Sequence, residues 1–438
     1  MSEYCIGFSQ KYKTQARYLI IHNLNMHHFW WVIISLVNIL LLSSIYITEI
    51  CNQAPIAALS IGNLFLAVLV RNELIVHLLY RLTVGISQLA PSGKYYINTA
   101  VHYIGGVHAA AATWSCFWLS IDLYRQLTTS KNLLLLTTGF FLAILLLTII
   151  LTAMPPFRER FHNSFEKIHR YAGWSCLAGV IFYLTLSHFL ATANQIPTLE
   201  YLLNPICLML ILIIFSIFLP WLTVQKCENF SIYCPSPNVA FLTVPGKADI
   251  GTFARISTDL VEWHSFSVAR MSFNQETGRS QIQLIIGAAG DWTKNLIEKV
   301  QSGDIPKYFW VRRVKPPGFM FSINAYSRVL VVATGAGIAP VLPHILENKH
   351  KLYIVWIGNN HQLTYGKKMW SLISSHPRLK IYDTGELGRP NVGDLAIQLS
   401  RKFRVQAVFC VSNKAVTKTV VSACLAKGIP AYGASWDS

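Results

Sequence analysis

The sequence predicts an α-helical membrane domain of six transmembrane helices, followed by an antiparallel β-barrel and an α/β domain. Three observations predict it. Of the 438 residues, 53% are hydrophobic and only 13% charged, with mean hydropathy +0.40, too apolar for an ordinary soluble chain. The apolar residues gather before Val224, in runs near the roughly 20 residues a spanning helix needs. Beyond Val224 the pattern turns to short strands between turn residues, then to strand, glycine turn and helix. The expected boundaries are 1–225 for the membrane domain, 226–325 for the barrel and 326–438 for the α/β domain.

The expected spans run from about Phe29 to Ile50, Ala54 to Val70, Asn98 to Leu123, Leu133 to Met154, Ile168 to Thr192 and Tyr201 to Val224. The leader carries Lys11, Lys13 and Arg17; the second and fourth loops carry Arg71, Arg81, Lys94, Arg158, Arg160, Lys167 and Arg170. By the positive-inside rule both termini lie on the cytoplasmic side, making this a multi-pass integral protein whose first partner is the lipid bilayer. The formal net charge of +17 then reads as membrane anchoring, and no basic run interleaved with aromatics suggests nucleic acid. The nine cysteines are scattered without a CxxC pair, which argues against a disulfide framework or zinc site. The first apolar segment is too long for a signal peptide and is expected to stay as an anchor.

In the barrel, "NVAFLTV", "GTFARIS", "HSFSVARMSF", "SQIQLIIG" and "YFWVRRV" read as strands. In the α/β domain, "RVLVVAT", "KLYIVWIG", "LKIYDTG" and "AVFCVS" do so. The clearest motif is Thr334-Gly335-Ala336-Gly337-Ile338 with Pro340. Gly335 allows a tight turn, Gly337 lets the backbone approach a pyrophosphate, and Pro340 suits the first helical turn. This is a dinucleotide loop; the bland alternative is a plain strand-to-helix turn. Gly290-Asp291-Trp292-Thr293 opens a helix and reads either as a phosphate cradle, with the Thr hydroxyl as donor, or as a simple helix cap.

Together, and in this order, these motifs resemble the ferredoxin–NADP reductase-type module of ferric reductases and NADPH oxidases. The closest likeness is to fungal TmpA-type transmembrane flavoprotein oxidoreductases, through "GTFARIS…EWHSFS", "AGDWTK" and "YGASWDS". The resemblance implies that FAD lies against His264-Ser265-Phe266-Ser267, with Ser in place of the usual Pro. It implies that the FAD pyrophosphate sits on Gly290, Asp291, Trp292 and Thr293. The nicotinamide dinucleotide, NADPH or NADH, is implied for Thr334–Ile338, Pro340 and Arg389 of the Gly388-Arg389-Pro390 loop. Ser267 and Cys410 are the candidate catalytic residues. The family's Cys-Gly-Pro-like turn is altered here, so Cys410 reads either as a nicotinamide contact or as a buried strand cysteine. Trp436 is either the late aromatic that covers the flavin or a packing residue.

Ionisable residues in a spanning helix default to a functional reading. "FEKIHRYAGW" resembles the ferric-reductase membrane domain, whose haem-bearing helices each carry two histidines about fourteen residues apart. His102 and His169 match the first of each pair, as haem iron ligands or as interhelical hydrogen-bond partners. The second positions hold Cys116 and Tyr183. His108 and His188 form no second matched pair, so at most one haem b is expected.

The function these features imply is a membrane flavoprotein oxidoreductase. It would pass electrons from NAD(P)H through FAD to an unidentified acceptor: haem, a quinone-like lipid, chelated metal or oxygen. The alternative is a nucleotide-binding membrane scaffold or sensor with a catalytically degenerate reductase domain.

Overall fold

Apolar runs in lipid can satisfy their backbone only within themselves, so they fold as helices. The computed structural model describes residues 26–47, 56–85, 88–129, 132–191, 199–275, 278–347 and 351–434. Trp436 and the leader cations lie outside them. Before the first strand come α1 (Met26–Ile47), α2 (Ile56–Leu69), α3 (Glu73–Gly85), α4 (Pro91–His102), α5 (Gly105–Thr129), α6 (Leu133–Ala153), α7 (Pro155–Arg160), α8 (His162–Ala191), α9 (Leu199–Leu202) and α10 (Pro205–Leu222). Among the described residues α1, α6, α8 and α10 are long and apolar enough to cross a membrane; α2 and α3, bent by 66°, make a fifth if taken as one broken span. That gives four to five such spans, where six were expected.

The difference lies in the third expected span. α4 ends at His102, and Gly106 N and Val107 N bond back to Tyr103 O and Ile104 O in tight i→i+3 turns before α5 proceeds. A Cβ on Gly106 would collide with the His27 backbone, so the glycine permits a close helix crossing at the break. After the break α5 is long enough at 25 residues but, carrying His108, Asp122 and Arg125, not apolar enough to count among the spans.

The chain divides into two compact units. The described residues of Asn25–Ile75 and Tyr103–Leu219 form one; those of Val76–His102 and Pro220–Ser438 form the other. The helical unit packs around Ile61, Leu119, Leu142 and Ile213. Asn38 and Asn63 exchange side-chain hydrogen bonds across α1 and α2, and Trp118 Nε1 donates to Asn38 Oδ1 at 2.8 Å. These pairs supply partners that lipid cannot.

The second unit holds two sheets. In the first, β1 (Val224–Cys227), β2 (Ser231–Ser236), β3 (Val239–Pro245), β4 (Phe253–Ser257), β5 (His264–Asn274), β6 (Arg279–Gly287) and β7 (Phe309–Arg312) run in the order β1-β7-β4-β5-β6-β3-β2. Every pairing is antiparallel. α11 (Asp291–Gln301) follows β6. In the second, β8 (Arg328–Thr334), β9 (Lys351–Gly358), β10 (Leu379–Asp383), β11 (Ala407–Val411) and β12 (Ala431–Gly433) are parallel, in the order β10-β9-β8-β11-β12. Their crossovers contain α12 (Leu342–Glu347), α13 (His361–Ser374), α14 (Thr384–Leu387), α15 (Val392–Lys402) and α16 (Lys414–Ala426). β8 and β11 are buried throughout or nearly so, as strands covered on both faces must be.

α4 belongs to this second unit. Lys94, buried, donates from Nζ to Ala325 O at 2.8 Å, and Tyr95 packs on Tyr432 with ring centres 5.3 Å apart. That accounts for its polar sequence, "PSGKYYINTAVH".

Candidate nucleotide and flavin site

Ser267 on β5 pairs with Phe253 on β4, and Phe266 with Ala254. Side chains alternate along a strand, so His264 and Phe266 share one face, while Ser265 and Ser267 take the other. Trp292, from the start of α11, stacks on His264 at 4.1 Å between ring centres and lies 6.1 Å from Phe266. Glu262 Oε1 lies 3.0 Å from His264 Nε2. The expected flavin contacts are therefore split between an aromatic stack and an opposite face carrying the two serines.

The turn before α11 is built by Thr293. Its Oγ1 accepts from Ala289 N at 3.1 Å and Gly290 N at 3.0 Å, and donates to Gly290 O at 2.9 Å. The hydroxyl's one proton is thus used inside the turn. Thr293 thereby shapes the turn. Donors toward an anion are instead the first amides of α11, at Asp291, Trp292 and Thr293, which no intrahelical carbonyl can reach. The Asp291 side chain is exposed.

β8 delivers Thr334 to the dinucleotide motif, and Gly335 takes φ +51, a left-handed conformation that favours glycine. The following residues, Gly335–Val341, form a 3-10 segment with Pro340 buried inside it, and α-helix begins only at Leu342. Gly337 packs so tightly on β11 that a Cβ there would strike the Val411 carbonyl oxygen. Its requirement is close packing on the sheet, where the sequence suggested room for a pyrophosphate. At the end of β6, a Cβ on Gly287 would lie 3.0 Å from Ala336 Cβ. The strand that leads into the 290–293 turn therefore ends against the dinucleotide loop.

Cys410 is fully buried in β11, and burial pushes its thiol up to about 12. It sits as a buried strand cysteine, 4.0 Å from Thr417 Oγ1. Ser412 is buried too, with Oγ 2.6 Å from Thr334 Oγ1. Arg389 is exposed, after Gly388 at φ +70.

The membrane histidines regroup. His102 ends α4 in the second unit, 3.5 Å from Tyr80 through Nδ1 and 6.0 Å from the Phe319 ring. His169 lies in the helical unit, and its neighbour there is His108, with ring centres 6.1 Å apart. His102 belongs to the second unit and His169 to the helical one. The break at Tyr103–Ile104 resets the helical phase that linked His102 to α5. His108 Nδ1 is 2.9 Å from Ala67 O. A donor Nδ1 there leaves Nε2 as the lone-pair nitrogen. His169 Nδ1 is buried without a hydrogen-bond partner. Among the described residues no three-ligand metal cluster occurs. At Tyr183, the position of an outer histidine, the phenol donates to Asp122 Oδ2 at 2.8 Å, and Asp122 also pairs with Arg125 at 3.0 Å.

Sequence reasoning missed Trp356 as well. Its indole Nε1 donates to Gly335 O at 3.0 Å. The available signal was a tryptophan inside a fully apolar parallel strand, whose N–H must find an acceptor.

Residues 319–438 match the family model of the C-terminal domain of adenylate-forming reductase 03009. Adenylate-forming reductases 03009 and 06235 of Coprinopsis cinerea are 29% and 30% identical to the chain over 97% of its length. The chain is a distant homologue of these fungal reductases and spans 42% of the length of each. Among solved structures, the ferredoxin reductase in carbazole 1,9a-dioxygenase is 12% identical, with 49% of this chain and 69% of that one covered and a TM-score of 0.36. Ferredoxin-NADP+ reductase from Plasmodium falciparum is 14% identical, with 49% and 96% covered and a TM-score of 0.36. At these scores the likeness carries no argument, and the architecture rests on the two sheets themselves.

Proposed function

We propose that this chain is a membrane flavoprotein oxidoreductase that takes electrons from NAD(P)H through FAD to an acceptor at or in the membrane. One observation carries the reading: the strand leading into the 290–293 turn ends against the dinucleotide loop, at Gly287 and Ala336. Two turns suited to phosphates, held side by side, fit two dinucleotides whose reacting rings must meet. The relatives' name, adenylate-forming reductase, joins two activities, and the turns in this chain bear on the reductive one.

In this reading the amides of Asp291, Trp292 and Thr293 hold the FAD diphosphate, and His264, Phe266 and Trp292 form an aromatic wall beside it. The Gly335–Gly337 backbone receives the nicotinamide dinucleotide, with Thr334 at its edge and Arg389 as an exposed cation within the same domain. FAD, when bound, supplies the conversion of a hydride into single electrons. Ser265 and Ser267 carry hydroxyls on the face of β5 opposite that wall. Cys410 is left without a chemical role.

In this reading a haem b would be held in the helical unit by His108 and His169, whose ring centres are 6.1 Å apart. His108 would be oriented by Ala67 O, as metal-bound histidines are by their outer hydrogen bond. Haem there would supply a one-electron acceptor. The absorption spectrum of detergent-purified full-length protein, before and after NADH or NADPH, tests the whole reading. Flavin bands that bleach on addition support it. A flavin that binds without bleaching returns the scaffold or sensor reading, and absence of flavin removes the flavoprotein reading.

A further inference from the structure

Resting on that reading, the geometry points to Trp356 as a positioning residue for the dinucleotide. We propose that its indole N–H sets the direction of the Gly335–Ala336 peptide, and thereby aims the Ala336 amide at the pyrophosphate.

Trp356 lies on β9, beside the central strand β8 of the parallel sheet, and is fully buried. Its ring cannot swing away: His361 meets it edge-on at 4.4 Å and Tyr365 lies at 5.1 Å. Its Nε1–H donates to Gly335 O at 3.0 Å. A peptide is planar, and no bond in the described chain is cis, so the C=O of residue 335 and the N–H of residue 336 point in opposite directions. Fixing the carbonyl toward Trp356 fixes the Ala336 N–H away from it.

The peptide needs such an anchor. Gly335 at φ +51 has no side chain to limit rotation, so the loop is free to flip unless something holds one end. Thr334 is held on one side by Ser412, and Gly337 on the other by its contact with Val411. Trp356 adds a side-chain constraint on the peptide between them, beside the 3-10 turn that begins at Gly335. Without its N–H the Ala336 amide samples both directions, and a ligand must select one on binding, which weakens affinity. The rate of reaction once bound does not change.

The test uses full-length, FAD-loaded protein in detergent. Trp356→Phe keeps an aromatic ring and removes the N–H; Trp356→Met removes it with a flexible, space-filling chain. Flavin reduction is followed by stopped flow against the concentration of whichever dinucleotide reduces the wild type, and against dihydronicotinamide mononucleotide, which has no pyrophosphate. Loss of one neutral hydrogen bond predicts a half-saturating dinucleotide concentration raised about 2- to 10-fold. The limiting rate and the mononucleotide kinetics stay as in the wild type. An unchanged dinucleotide dependence overturns the proposal, as does equal weakening toward both donors. Loss of FAD from both variants also overturns it, because Trp356 would then support the whole unit and not one peptide. A wild-type flavin that neither NADH nor NADPH reduces defeats the underlying reading instead.

Discussion

Gly337 lies against Val411, so close that any Cβ at position 337 would meet the carbonyl oxygen at the end of β11. The obstacle is backbone and cannot rotate away. Gly337→Val is therefore expected to damage the α/β domain itself, at a cost of roughly 1–3 kcal/mol or more from overpacking. Thermal unfolding of the purified variant, with FAD retention followed in the same samples, should show lowered stability before any effect on the nucleotide is read. Gly335→Ala makes the comparison. The nearest atom to its new Cβ is Tyr365 Oη at 3.7 Å, so space is available and only the left-handed backbone is penalised, by about 1–2 kcal/mol. It should lower stability less than Gly337→Val while still weakening nucleotide binding.

Thr293 makes three hydrogen bonds inside the turn before α11, and all three use its hydroxyl. Thr293→Ser keeps them and should leave FAD occupancy near that of the wild type. Thr293→Val keeps the shape and loses the bonds, at a cost of about 0.5–2 kcal/mol, as for the loss of a helix cap. The amides at Gly290 and Ala289 are then released, and the turn no longer presents one geometry to a diphosphate. Flavin content per protein after gel filtration measures this. Equal content in both variants would mean that the diphosphate is held elsewhere.

Cys410 is fully buried and its thiol is pushed up to about 12. At neutral pH only on the order of 10⁻⁵ of such a group is thiolate. Alkylation by iodoacetamide of the native protein, mapped by mass spectrometry, should leave Cys410 unmodified until the domain unfolds. Cys410→Ala should cost roughly 1–2 kcal/mol through the small cavity it leaves, with flavin reduction rates unchanged. A large fall in the limiting rate without loss of stability would restore the catalytic role.

The strands were the most legible part of the fold, because each carries its own signal. The runs at β3 to β6 and β8 to β11 are dense in β-branched and aromatic residues and are bounded by turns. β1, "VQKC", and β2, "SIYCPS", were not read as strands: one is short and half polar, and the other contains Pro235 on a sheet edge. The break between His102 and Gly105 was not legible because hydropathy measures apolarity and not helix continuity. The candidate site was legible as a set of turns, while the duties inside each turn were not. Gly337 and Thr293 were found by their spacing, yet Val411 and the Gly290 backbone, which explain them, become neighbours only in the folded chain. Trp356 stands 21 residues from the carbonyl it holds, and no local pattern links the two.

His108 and His169 lie in one unit with ring centres 6.1 Å apart. In the proposed reading these two imidazoles would hold one haem iron, which would supply a one-electron acceptor. The expectation is therefore one haem per chain. His108→Ala and His169→Ala should each abolish its absorbance, while His102→Ala leaves it intact and acts, if at all, on the second unit through Tyr80 and Phe319. An outer haem is not expected, because Tyr183 is committed to Asp122, and Asp122 in turn to Arg125. Haem quantification by the pyridine haemochrome method, on wild type and the three variants, checks every part of this. Loss of haem in His102→Ala alone would return the pairing to His102. Haem in none of the four proteins would make His108 and His169 partners in helix packing and leave the flavin to meet its acceptor directly.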